Sequence, residues 1–273
     1  MTQIEYSLKS LPFEETGTET TWERYGILQH FGSFAGQPKR YQVVSIKTEK
    51  GTQNIVKSPF FIPVPTAVAQ EITRYVADQL TMKIKDEYND GIRYMATLIS
   101  PQIKGEIEPG DIVAWGIGVR SSVVGSFRTD ISLLRLVCSN GMMEPVESEI
   151  ANVEKSYDIE AMKESFLANA KLLQETFEEK LRMFRDFTNY KMNQEFAQIL
   201  ARTFPKPIIQ DIITVGEKKT VIEFKPVTLR RAYDAITYQI SNRALKLTTK
   251  YDWLLKTTMR FKEYIAEQEV QTS

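Results

Sequence analysis

Apolar and polar positions change their period several times along this chain, and each change marks an element. From Trp22 to Pro63, TWERYGILQHF and KRYQVVSIKTEKGTQNIVKSPFFIP are rich in β-branched and aromatic residues, and EKGTQ supplies turn chemistry between two such runs. This predicts strands joined as a hairpin. The polar residues 1–20 are expected to be loosely ordered. Beyond Pro65, Val68, Ile72, Val76 and Leu80 recur at every fourth position, which predicts a helix with one core-facing stripe. Met82–Tyr88 and Ile92–Ile99 then flank Asn89-Asp90-Gly91. Asp-Gly supplies the positive φ angles of a tight turn, so a second hairpin is expected.

Val113, Trp115, Ile117 and Val119 alternate with Ala114, Gly116, Gly118 and Arg120, giving a strand with one bulky and one nearly bare face. The bare face suits close approach of a backbone or ligand, or a glycine-relieved bend in a curved sheet. Ile131 to Cys138 is apolar almost throughout and is expected inside a sheet. After Asp158, residues Ile159, Met162, Phe166, Ala170, Leu173, Phe177, Leu181 and Phe184 step by threes and fours. These steps predict one long, nearly straight helix whose stripe packs against other helices, including those of another subunit. Tyr190–Phe204 continues as a helix that Pro205 and Pro207 end, and 208–226 reads as a short hairpin or as a helical turn and a strand. Thr228 caps a further helix, and Tyr251–Gln268 forms the last.

These elements predict an α+β protein, with a curved, mostly antiparallel sheet and a covering helix in the first half and a helical second half containing one long helix. The organisation read from them is a loose segment at 1–20, a β-rich core at 21–150 and a mainly helical region at 151–273 packed on that core as one unit. With 273 residues, 42% of them hydrophobic, the chain has ample surface to bury without staples. A single cysteine and the lack of a leader-like or membrane-spanning apolar run point to a reducing, cytoplasmic setting with no membrane partner.

Arg120–Met143 joins a polar turn, a strand-like run and the close CSNG. This stretch resembles the signature of the phage- and plasmid-associated family catalogued as domain of unknown function 932. Arg135, Leu136, Val137, Cys138, Ser139, Asn140 and Gly141 match that family's close residue for residue. Thr228-Leu229 followed by Tyr233, Ala235, Ile236 and Thr237 resembles its late helix. Relatives often carry a histidine further on, where this chain has Asn242 and Arg243. The resemblance implies a viral or mobile-element context and an intracellular protein. It implies no established activity and no catalytic residue.

The sequence has no phosphate loop, and Gly116-Ile117-Gly118 lies inside a strand pattern without a following helix. One histidine and one cysteine do not build the usual metal sites, and only a carboxylate magnesium site drawn from distant residues stays open. Cys138 and His30 are the sole thiol and imidazole, but a cysteine closing an apolar run reads as a small buried hydrophobe rather than a nucleophile. No cofactor or small-molecule substrate is indicated, and the reading is non-enzymatic.

Thirty-five basic residues balance thirty-five acidic ones, yet acids prevail between Lys104 and Glu164 and bases between Lys218 and Lys262. The basic stretch supplies Arg230, Arg231, Arg243, Lys246, Lys250, Lys256, Arg260 and Lys262, interleaved with Tyr233, Tyr238, Tyr251 and Trp253. Cations contact phosphates and aromatic faces stack on unpaired bases. Arg120, Arg128 and Arg135 would extend the track. The expected partner is therefore nucleic acid, above all single-stranded DNA bound or annealed in replication or recombination by a homo-oligomer. The competing expectation is a self-assembling or host-protein-binding module, and a metal-dependent nuclease ranks last.

Overall fold

The computed structural model describes residues 13–49, 51–135, 143–145 and 151–272. The fold is α+β: antiparallel strands dominate the first half and helices the second. The chain divides into two compact units, each assembled from three stretches. Unit one takes the described parts of 1–98, 119–129 and 151–170; unit two takes those of 99–118, 130–150 and 171–273.

Unit one contains an antiparallel sheet in the order β1 (Phe13–Glu19), β2 (Ile27–Phe34), β3 (Arg40–Thr48), β4 (Gly51–Lys57). Phe13–Glu19 thus forms a strand where looseness was expected. Phe13 packs edge-on against Phe34 at 5.6 Å, and β1 lies so close to β2 that a Cβ at Gly32 would strike the backbone of Glu14. The register pairs Gln29 with Val44 and Gln42 with Lys57. Because alternate strand residues share a face, Gln29, Gln42 and Lys57 point the same way. Strand β4 ends at Lys57, and Ser58–Pro63 leaves the strand that the sequence pattern extended to Pro63. Helix α1 (Thr66–Gln79) buries Val68, Ile72 and Val76 as its four-residue spacing predicts.

Strands β5 (Lys83–Asn89), β6 (Arg93–Glu106), β7 (Ile112–Ser122) and β8 (Phe127–Arg135), with β9 (Met143–Pro145) and β10 (Ala151–Asn152), form a second sheet. Its order is β10-β8-β7-β6-β5 with β9 also on β8, so β8 has neighbours on both sides, as expected for Ile131–Arg135; residues 136–138 of that apolar run lie outside the described residues. The β5–β6 turn matches its sequence signal. Gly91 has φ 82°, and the Asp90 carboxylate accepts from the amides of Ile92 and Arg93. On β7 both faces are buried, Ala114, Gly116 and Gly118 included, so the bare face is covered rather than open to a ligand.

Helix α2 (Ile159–Glu175) is separated at Thr176 from α3 (Phe177–Asp186). The Thr176 hydroxyl donates to the carbonyl of Leu173 at 2.9 Å, offering the backbone a local partner that competes with an uninterrupted helix. The apolar stripe beginning at Ile159 is therefore divided. The remaining elements, all in unit two, are α4 (Gln194–Thr203), α5 (Lys206–Ile209), β11 (Ile213–Val215), β12 (Val221–Phe224), α6 (Leu229–Ser241) and α7 (Leu247–Thr272). At 26 residues α7 is the long helix of this half. Asn193 caps α4 by accepting from Phe196, and Thr228 caps α6 by accepting from Arg231. The core of unit two is aromatic: Phe184, Phe187, Tyr233 and Phe261 meet at centroid distances of 5.2 to 5.7 Å.

Candidate nucleic-acid interface

The structure buries one of the basic residues picked from the sequence and gives several others partners within the protein. Arg230 is 2% exposed in the core of unit two, ion-paired with Asp234 at 3.1 Å and Asp111 at 3.4 Å, its guanidinium 5.2 Å from the Phe184 ring. It is a structural residue and not a phosphate contact. Arg243 donates to the carbonyl of Pro207 and Lys250 to that of Ser241, while Arg260 pairs with Glu263 at 2.7 Å. Arg231, Lys246 and Lys256 are exposed and without a carboxylate within 4 Å among the described residues. Lys256 lies one turn from Asp252 on α7.

Arg120 is half-buried and Arg128 exposed, both in unit one; the side chain of Arg135 lies outside the described residues, as do Cys138 and Asn140-Gly141. Of the interleaved aromatics, Tyr233 is core, Tyr238 exposed and Trp253 half-buried; the side chain of Tyr251 lies outside the described residues. His30 is 3.3 Å from Glu15, a pairing between neighbouring strands. Among the described residues no cluster of metal-ligating side chains is present. No helix there is long and apolar enough to cross a membrane. A cleft of about 430 Å³ between α3 and α7 mixes Glu179 and Asp186 with Lys180 and Lys262, and its charges do not converge on one sign.

A different cluster, in unit one, combines cations with an exposed aromatic ring. Ser58-Pro59-Phe60-Phe61 is a β-turn closed by the Phe61 amide donating to the Ser58 carbonyl at 3.1 Å, with proline at the position whose φ it presets. Gln42 lies beneath it, fully buried, and its amide nitrogen donates to the carbonyls of Ser58 (2.7 Å) and Phe61 (2.6 Å). Gln29 donates in turn to Gln42 at 2.9 Å and to the hydroxyl of Tyr157 at 2.8 Å. The turn is thus clamped from below, and its outer residue, Phe60, stands 92% exposed.

Two lysines border this turn. The Lys57 ammonium is 5.1 Å from the centre of the Phe61 ring and that of Lys155 is 4.2 Å from it. Both distances fall in the range of cation–π attraction. Lys155 also donates to the carbonyls of Ile62, at 3.2 Å, and Gly125. Burial, with the Lys57 charge second, brings the Lys155 ammonium down to about 8. Neither lysine has a carboxylate within 4 Å among the described residues. On the same unit, Tyr157 packs 6.0 Å from Trp22, Trp22 lies 5.9 Å from Tyr25, and Arg24 stacks 4.8 Å over Tyr25.

Sequence reading missed this site because Lys57 and Lys155 lie far apart in the chain and KSPFFIP was absorbed into a strand. The available signal was Pro59 before two phenylalanines, a turn former beside more aromatic surface than a strand end requires. Comparison with family models, curated proteins and solved structures finds no match.

Proposed function

We propose that this protein binds single-stranded nucleic acid without catalysing a reaction on it, through the Phe60 turn and its two lysines. The observation that supports this reading is a phenylalanine 92% exposed on a turn clamped by a buried glutamine, beside two ammonium groups with no carboxylate within 4 Å among the described residues. Single-strand binders combine these parts: an aromatic face on which any base stacks, and cations for the backbone. The resemblance of Arg135–Gly141 to a phage- and plasmid-associated family suggests an intracellular oligomer that coats or anneals strands in replication or recombination of a mobile element.

Fluorescence anisotropy with a labelled oligothymidylate at low salt tests the proposal. Log affinity should fall linearly with log salt, and Lys57→Met should lower the slope by about 0.7, the share of one phosphate contact on a single strand. Phe60→Ala should remove about 1–3 kcal/mol of stacking, roughly a 5- to 150-fold weaker Kd. Absence of salt-sensitive binding to any oligonucleotide would sink it. That outcome favours the other reading, a contact for a second copy or a host protein centred on the exposed Phe60.

A further inference from the structure

Lys57 and Lys155 raise a question that general single-strand binding does not answer: what balances two cations placed around one ring. An ammonium taken partly out of water is held by dipoles or by an opposite charge. Lys155 has two backbone carbonyls and the face of Phe61, and these fix its position without neutralising it. Lys57, on the same ring, adds a second positive charge, and no carboxylate of the described residues lies within 4 Å of either. Burial first, and the Lys57 charge second, lower the basicity of Lys155. An arrangement of this kind is relieved by a ligand that brings two negative charges to it.

We propose that Lys57 and Lys155 form a receptor for a phosphomonoester, the terminal phosphate of a nucleic-acid strand whose end base stacks on Phe60. The inference rests on the nucleic-acid reading and specifies which part of the strand is recognised. An internal phosphodiester carries one negative charge and two substituents; a terminal phosphate carries close to two charges at neutral pH and one substituent. The second charge matches the second lysine, and the unsubstituted oxygens suit two half-buried ammonium groups that both lie within about 5 Å of the Phe61 ring centre. Lys155 is held in place, whereas Lys57 ends β4 on a flexible stem that can follow the anion. Phe60, 92% exposed on the turn that the Phe61 amide closes, is the ring available to the base next to that phosphate. A 5′ and a 3′ end share this chemistry.

Anisotropy competition with one short oligonucleotide in three forms, 5′-phosphorylated, 3′-phosphorylated and unphosphorylated, tests the inference and tells the two ends apart. One phosphorylated form should compete at least tenfold better than the unphosphorylated strand. Lys57→Met and Lys155→Met should each abolish that preference, while Phe60→Ala should weaken all three forms by the same factor. Should Lys155→Met fail to fold, Lys57→Met carries the test alone, since its side chain makes no hydrogen bond in the described residues. Equal binding of the three forms overturns the inference and leaves the nucleic-acid reading standing. If no form binds, the nucleic-acid reading falls, and a titration of the lysine ammonium resonances with inorganic phosphate decides the site: saturable shifts at Lys57 and Lys155 support it, and their absence overturns it.

Discussion

Replacing Gln42 by Leu should loosen the Phe60 turn while leaving the apolar packing around it nearly unchanged in volume. Gln42 is fully buried and uses both amide protons and its oxygen: it donates to Ser58 and Phe61 and accepts from Gln29. Leucine makes none of the three bonds. Each is worth a net ~0.5–1.5 kcal/mol, and buried groups left without a partner push toward the upper end, so the loss should be about 2–4 kcal/mol. Gln29 keeps Tyr157, which limits the damage on that side. Hydrogen exchange of the β2–β4 amides at increasing urea would report the opening free energy of unit one directly. The Phe61 amide, closed onto Ser58, should lose protection before the strands do. Nucleic-acid affinity should fall with it, because Phe60 would pay for its ordering on binding. An opening free energy within about 0.5 kcal/mol of the parent, with Phe61 still protected, would refute the reasoning, since changes of that size are typical of surface positions.

Arg230→Ala should cost about 3–5 kcal/mol by removing the buried guanidinium that Asp111 and Asp234 share, whereas Arg230→Met combined with Asp111→Asn and Asp234→Asn should recover most of it, both read by urea denaturation. Gly105→Ala should destabilise unit two by about 1–3 kcal/mol, because a Cβ there would run into the Leu181 side chain, and Leu181→Ala should remove much of the added penalty in a double-mutant cycle. The Lys155 ammonium, brought down from 10.5 to about 8 by burial and by Lys57, discharges in the folded state before the unfolded one. The unfolded chain then binds more protons between about pH 8 and 10.5, so stability should rise with pH across that window, and Lys155→Met should flatten the rise in pH-dependent denaturation. Anion affinity should move the opposite way, weakening above about pH 8 as that charge is lost, which anisotropy across the same range would show.

Much of the fold was legible where one local rule decides the outcome. Asp90-Gly91 specified its turn and Val68-Ile72-Val76 their helix, because backbone conformation and period act over a few residues. The division at Thr176 was not legible, since the apolar stripe continues through it and only a side-chain bond to Leu173 marks the break. Arg230 misled for a related reason. Composition presents it as one of a run of cations, yet it stands three and seven positions before the buried Tyr233 and Thr237, on the inner side of α6, with Asp234 one turn on. That spacing was the available signal. The Phe60 site was the least legible, because it joins a turn near position 60 to a lysine at 155 and to glutamines on two strands, a coincidence that only tertiary structure creates.

Each compact unit draws on three stretches that interleave along the chain, and this constrains how the molecule comes into being. A nascent polypeptide halted at residue 150 would carry the four-stranded sheet but lack Tyr157, Phe166 and Lys155, the groups that close over Gln29, Phe127 and Phe61. A fragment starting at residue 151 would lack Asp111 and Gly105, on which Arg230 and Leu181 of the helical half depend. Neither half is therefore a self-sufficient product of partial synthesis or of proteolytic cutting: unit one waits for the stretch 151–170, and unit two joins 99–118 to helices that follow residue 170.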